Sequence, residues 1–135
     1  VALLLDTGVV YAYYDRSDDW HARAIAIVRR ERRGLVLPAP VIPEIDHLLG
    51  RRLGAAARRV FYRGLAEGGY HVVDVPSDGY ARVAEIDRQF SDLDLGFVDA
   101  AVLVIAERGG LRRLATTDRR HFEPLAAAFG LELLP

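Results

Sequence analysis

Residues 95–118, "LGFVDAAVLVIAERGGLRRLATTD", decide the architecture. Residues 95–110 read as a helix that is apolar on nearly every side, so it belongs at the centre of the protein and not on a wet surface. The pair Gly109–Gly110 stops it, and "LRRLATT" follows at once as a strand closing on Asp118. A buried helix feeding directly into a strand is the repeating step of a parallel sheet covered by helices.

Reading outward from that step, the same alternation fills the chain. "VALLL" (residues 1–5) is a strand ended by Asp6, "GVVYAYYD" a short helix, and "SDDWHARAIAIVRRERRG" a longer one. In the longer helix Asp18 is the expected cap, Trp20, Ala24, Ile27 and Val28 recur at helical spacing, and Gly34 ends the pattern. "LVLP" is a second strand. Pro40 and Pro43 then introduce the helix "EIDHLLGRRLG", with proline in the first turn where a missing N–H does no harm. "AAARRVFYRGLAEGG" is a helix, "YHVVDVP" a strand, "DGYARVAEIDRQFSD" a helix, and after Asp118 come the helix "FEPLAAAFG" and the strand "LELLP". No linker or repeat interrupts the pattern, so residues 1–135 are expected to form one α/β domain.

Composition narrows the chemistry. The chain has 135 residues, 51% hydrophobic and 27% charged, which is the balance of a folded protein. No apolar run approaches the roughly 20 residues of a membrane span, and no signal segment is visible, so a cytoplasmic protein is expected. Cysteine is absent, which removes thiolate metal sites and disulfides. All basic residues are arginine, which removes the P-loop lysine and Schiff-base chemistry. A net charge of −1 leaves only local patches for binding nucleic acid.

Four acids stand where an open parallel sheet binds ligands, outside the carboxyl ends of its strands. Asp6 ends the first strand and Asp118 the fourth. Glu44 is in the first turn of the helix after the second strand, and Asp99 is early in the buried helix. Two like charges about 6 Å apart at an effective dielectric near 20 repel by roughly 3 kcal/mol. Six such pairs would rival the roughly 5–15 kcal/mol of a whole domain's stability. Such a group needs protons or a hard, oxygen-loving cation such as Mg²⁺ or Mn²⁺. Each acid also has a plainer role. Asp6 and Asp118 can cap helices, Glu44 can favour a helix N-terminus, Asp94 is expected to cap, and Asp46 and Asp92 to be solvated. Asp99, among Val98, Ala100, Ala101 and Val102, is the hardest to explain without a partner.

"LLLDTG", "PEIDHLL", "LGFVDAAVLVIAER" and "LATTDRRHF", in this order along essentially the whole chain, resemble the acidic motifs of PIN-domain ribonucleases, specifically VapC-type toxins. The resemblance implies a three-layer fold with a five-stranded parallel sheet flanked by helices, a homodimer, Mg²⁺-dependent RNA cleavage and a VapB-type antitoxin partner. Carried over residue by residue, it makes Asp6, Glu44, Asp99 and Asp118 the metal-binding catalytic quartet. Asp94 matches an acid found in many members but not all. Thr116 matches the hydroxyl residue before the last acid, and Thr7 stands beside the first; both are candidates for substrate contact.

The expected chemistry is metal-assisted phosphodiester hydrolysis, leaving a 5′-phosphate and a 3′-hydroxyl. Arg119, Arg120 and His121, directly after the last acid, are candidates for phosphate contact beside the metal, the arginines because their fork binds phosphate in two places. His21, His47, His71 and His121 show no pairing in sequence that supports histidine chemistry. The arginines at 29–33 and 51–52 read as solvated helix ends, and Tyr11, Tyr13, Tyr14 and Trp20 as core or dimer interface. A receiver domain would need a lysine, and a haloacid-dehalogenase phosphatase would need an acid where Gly8 stands. A non-catalytic PIN-fold protein-binding domain would be expected to have lost part of its acidic set. The RNA expected is tRNA or rRNA.

Overall fold

Three consecutive leucines form β1 (Leu3–Leu5), and all three are fully buried. A strand with no polar alternation belongs in the middle of a sheet covered on both faces, and β1 is the central strand of five. Its partners are β2 (Leu35–Pro38), β3 (His71–Val73), β4 (Arg113–Ala115) and β5 (Glu132–Leu134), in the order β3-β2-β1-β4-β5. Every pairing is parallel. The computed structural model describes residues 2–135, so the expected start of the first strand at Val1 lies outside the described residues.

Seven α-helices among the described residues flank this sheet: α1 (Thr7–Tyr14), α2 (His21–Glu31), α3 (Ile42–Arg52), α4 (Ala55–Ala66), α5 (Tyr80–Gln89), α6 (Gly96–Gly109) and α7 (Arg119–Phe129). α1 packs on α2 and α3, α3 on α4, and α5 on α6. The α/β fold with a five-stranded parallel sheet is thus the one expected. α6 is the buried helix of the opening motif: Ala100 to Ala106 are all shielded from solvent. Truncating Leu103, which is fully buried, would cost about 2–5 kcal/mol through lost transfer energy and a residual cavity. No helix is long and apolar enough to cross a membrane.

The chain runs outward through β1, β2 and β3, then crosses back to lay β4 against the other side of β1. Strand order therefore reverses between β1 and β4, with Leu5 opposite Ala115. That reversal leaves a crevice beyond their carboxyl ends, because the connections depart in opposite directions. The arginine run at 29–33 lies away from it, at the end of α2 and the start of β2, where Arg30 and Arg113 both pair with Glu31.

Three expectations about local structure are corrected. α7 begins at Arg119, not at Phe122, because Asp118 caps it by accepting the His121 N–H at 3.3 Å. Pro124 is then inside the helix, where it lacks the N–H that would have met the Arg120 carbonyl. Asp94 is exposed in the left-handed region (φ 48°) between a 3₁₀ turn and α6, and α6 has no side-chain cap. Asp18 closes a turn before α2 by accepting the Trp20 N–H at 2.8 Å, while Trp20 itself is the residue at the cap. Tyr11 is core, as expected, and Tyr14 shares a hydroxyl hydrogen bond of 2.7 Å with Tyr70.

Candidate active site

Four helices begin at the crevice, and each brings one of the sequence-predicted acids. Asp6 is the N-cap of α1, Glu44 lies in the first turn of α3, Asp99 in the first turn of α6, and Asp118 is the N-cap of α7. A helix N-terminus carries partial positive charge from its unpaired N–H groups, and each stabilises a nearby carboxylate by about 0.3–1 kcal/mol. Four such ends offset part of the repulsion among the acids. The capping roles and the clustering are therefore compatible: the same geometry provides both.

The acids are joined by one continuous hydrogen-bonded path. Thr7 Oγ1 donates to Glu44 Oε1 at 2.6 Å, and the Thr7 N–H donates to Asp6 Oδ1 at 2.8 Å. Thr116 Oγ1 donates to Asp6 Oδ2 at 3.0 Å and accepts the Asp118 N–H at 3.0 Å. The His121 N–H reaches Asp118 Oδ1, and the His121 ring Nε2 lies 2.8 Å from Asp99 Oδ2. Residues 7, 116 and 121 thus hold all four carboxylates to one another. Thr116 is completely buried, so its hydroxyl serves as an internal strut and is not presented to a substrate. Thr7 likewise directs its hydroxyl at Glu44.

The glycine of "DTG" has a steric reason. A Cβ on Gly8 would stand 2.1 Å from Thr117 Oγ1. Its absence lets the turn carrying Thr116 to Asp118 close against the start of α1.

Electrostatics follow from depth. Burial beneath the strand ends is the main reason the Asp6 pKa is pushed up to about 6 from 3.8. Hydrogen bonds from Thr7 and Thr116 oppose the rise, and the charges of Asp99 and Glu44 add to it. Asp99 is also raised, first by burial; the hydrogen bond from His121 pulls it back, and Glu44 and Asp118 push it up again. Among the described residues no arginine pairs with any of the four, although arginine is the chain's only strong base.

The donor set fits a hard divalent cation. It is all carboxylate oxygen, and Glu44 Oε2, Asp99 Oδ1 and Asp118 Oδ2 have no protein donor among the described residues. The side chains are not already drawn together, since no three of them among the described residues stand at the spacing of a finished metal shell. An incoming ion would have to gather them.

The arginines after the last acid divide in role. Arg119 Nη1 donates to the backbone carbonyls of Leu133 and Pro135 at 3.1 and 2.8 Å, which ties α7 to the end of β5. Arg120 is exposed in the first turn of α7 with no side-chain partner among the described residues. His47 is exposed on α3, one turn beyond Glu44. Sequence reading placed His121 beside the last acid as a candidate for phosphate contact but missed its contact with Asp99. Its pairing with Asp99 spans 22 positions, and the only sequence signal was its place three residues after a candidate cap.

Comparison with known proteins places this geometry in context. The model of the PIN domain family matches residues 3–127. The chain is 31% identical over 123 residues to Ribonuclease VapC26 of Mycobacterium tuberculosis, covering 91% of each. Among solved structures, it superposes on Mycobacterium tuberculosis VapC20, described as a sarcin–ricin loop cleaving toxin, with a TM-score of 0.82. That match has 21% identity and covers 99% of this chain and 100% of the other. It also superposes on a chain of DNA-bound VapBC from Salmonella typhimurium, with a TM-score of 0.73 and 16% identity over 98% of this chain and 96% of that one.

Proposed function

The chain belongs to the PIN-domain family, among its VapC-type ribonucleases, and from that premise we propose that it is the Mg²⁺-dependent endoribonuclease toxin of a toxin–antitoxin pair. In this reading residues 1–135 work as one PIN domain, and Asp6, Glu44, Asp99 and Asp118 form the catalytic centre. The observation that carries the reading is the hydrogen-bonded path from Glu44 to Asp99. It joins four carboxylates from four helix starts and includes no arginine.

Asp6, Asp99, Glu44 and Asp118 would hold the ion, Mg²⁺ or Mn²⁺, through their carboxylate oxygens. When bound, such an ion makes water a stronger nucleophile near neutral pH and offsets charge building on the phosphate. The chain's own residues do the rest. Thr116 and Thr7 each tie one oxygen of Asp6 and of Glu44, which leaves fewer side-chain motions to freeze when the four acids are gathered. Arg120, free on the rim, would engage a phosphate of the RNA backbone. Arg119 would act by securing the helix that carries Asp118. Water as nucleophile leaves a 5′-phosphate and a 3′-hydroxyl and needs no 2′-OH.

The RNA would be a loop of tRNA or rRNA, since unstacked loops are where proteins read RNA bases. The structural relative described as a sarcin–ricin loop cleaving toxin supports the rRNA option. A VapB-type antitoxin would mask the site, a pairing supported by the likeness to a chain of DNA-bound VapBC, and the toxin would act as a homodimer. The test incubates pure protein with total RNA, with Mg²⁺ or with EDTA, beside Asp99→Asn, and maps the cut ends. Cleavage restricted to Mg²⁺ and the native protein, with 5′-phosphate ends, is expected. Cleavage that persists in EDTA, or cyclic-phosphate ends, would refute the mechanism.

A further inference from the structure

Resting on the metal reading above, we propose that His121 is the positioning residue for Asp99, fixing that carboxylate so that its free oxygen faces the ion. An ionised carboxylate can only accept, so the 2.8 Å contact is a hydrogen bond from Nε2–H of His121 to Asp99 Oδ2. Oδ1 of Asp99 has no donor among the described residues. Glu44 and Asp118 show the same arrangement, each tied through one oxygen, by Thr7 and by the His121 N–H. The pattern is that of carboxylates aimed by outer partners, which leaves one oxygen of each for a ligand.

His121 is built to hold this position. Its ring packs edge-on against Phe122, with centroids 5.2 Å apart and planes at 89°. Phe122 is itself 1% exposed and anchored in the core. The backbone of the same residue holds Asp118. One residue in the first turn of α7 therefore sets two acids, Asp118 and Asp99, and links α7 to α6. The helix register explains how: with Asp118 at the cap, residue 121 is the third helical position, whose N–H returns to the cap side chain.

A contrary role is open to test, in which the ring competes with the ion for Asp99. The experiment measures Mn²⁺ binding by electron paramagnetic resonance on the intact protein and on His121→Ala, His121→Gln, His121→Asn and Asp99→Asn, with urea curves confirming that each is folded. Glutamine places an N–H donor about where Nε2 lies, and asparagine falls short. Alanine and asparagine are expected to weaken Mn²⁺ binding by about 10–100-fold, and glutamine to recover most of the loss. Unchanged or tighter binding in His121→Ala would overturn the assignment, and so would glutamine no better than alanine. Asp99→Asn separates the two claims. If it binds Mn²⁺ like the native protein, the metal reading itself is wrong; if it loses binding while His121→Ala does not, only the role of His121 fails.

Discussion

Asp6→Asn should relieve the metal-free protein of a loss of stability that grows with pH, while abolishing its activity. The carboxyl of Asp6 is raised from 3.8 to about 6 in the folded protein. Between those values the folded state holds a proton that the unfolded state has released. Stability therefore falls as pH rises through this window and stays lowered above it. At about 1.4 kcal/mol per unit, the loss approaches 3 kcal/mol by neutral pH. Asparagine cannot ionise, fills the same shape and keeps an acceptor for the Thr7 N–H, while its amide N–H₂ replaces the oxygen that accepts from Thr116, a cost that is the same at both pH values. The assay is urea denaturation of both proteins in EDTA at pH 4 and pH 7.5. The other carboxylates titrate alike in the two proteins, so their contributions largely cancel in the difference. The stability of Asp6→Asn relative to the native protein should rise by about 2–3 kcal/mol between the two pH values. Mg²⁺ at a hundred times its dissociation constant should return about 2.7 kcal/mol to the native protein at pH 7.5 and much less to the variant. A difference that is the same at both pH values, or one that favours the native protein more at pH 7.5, would refute the reasoning.

Thr116→Val keeps the shape of a fully buried side chain but strips Asp6 of a donor and the Asp118 N–H of its acceptor; a loss of about 2–3 kcal/mol is expected in urea titrations. Gly8→Ala brings a methyl group to 2.1 Å from Thr117 Oγ1 and should lower both RNA cleavage and stability, the latter by about 1–3 kcal/mol. Adding Thr117→Ala should restore both, as measured by turnover and thermal unfolding. Arg119→Ala, which releases the carbonyls of Leu133 and Pro135, should speed amide exchange in β5 and cost about 1 kcal/mol. Arg120→Ala should instead raise KM for RNA and leave unfolding unchanged.

The sheet was legible because its strands are short apolar runs punctuated by Gly and Pro, and because α6 is apolar on all sides. The grouping of four acids at the carboxyl ends was legible from topology alone, since parallel strands put their ends together wherever they lie in sequence. What could not be read was how each acid is held. Thr7 and Thr116 look from sequence like groups for a substrate, yet one points at Glu44 and the other is buried beneath Asp6. The start of α7 was placed three residues late, at Phe122, whereas Asp118 and the His121 N–H form the actual cap. With the helix starting at Phe122, His121 stays in a loop and its contact with Asp99 is invisible. Asp94 misled in the opposite way, as an acid before a helix that neither caps it nor joins the site.

Thr116 meets Asp6 across 110 positions of sequence, and the last acid arrives only at residue 118. A growing chain therefore cannot present all four acids together until residue 118 has left the ribosome and β4 has docked beside β1. On the catalytic reading proposed above, prematurely terminated products that stop short of that point would carry at most three of the four acids on an unfinished sheet and would not cut RNA.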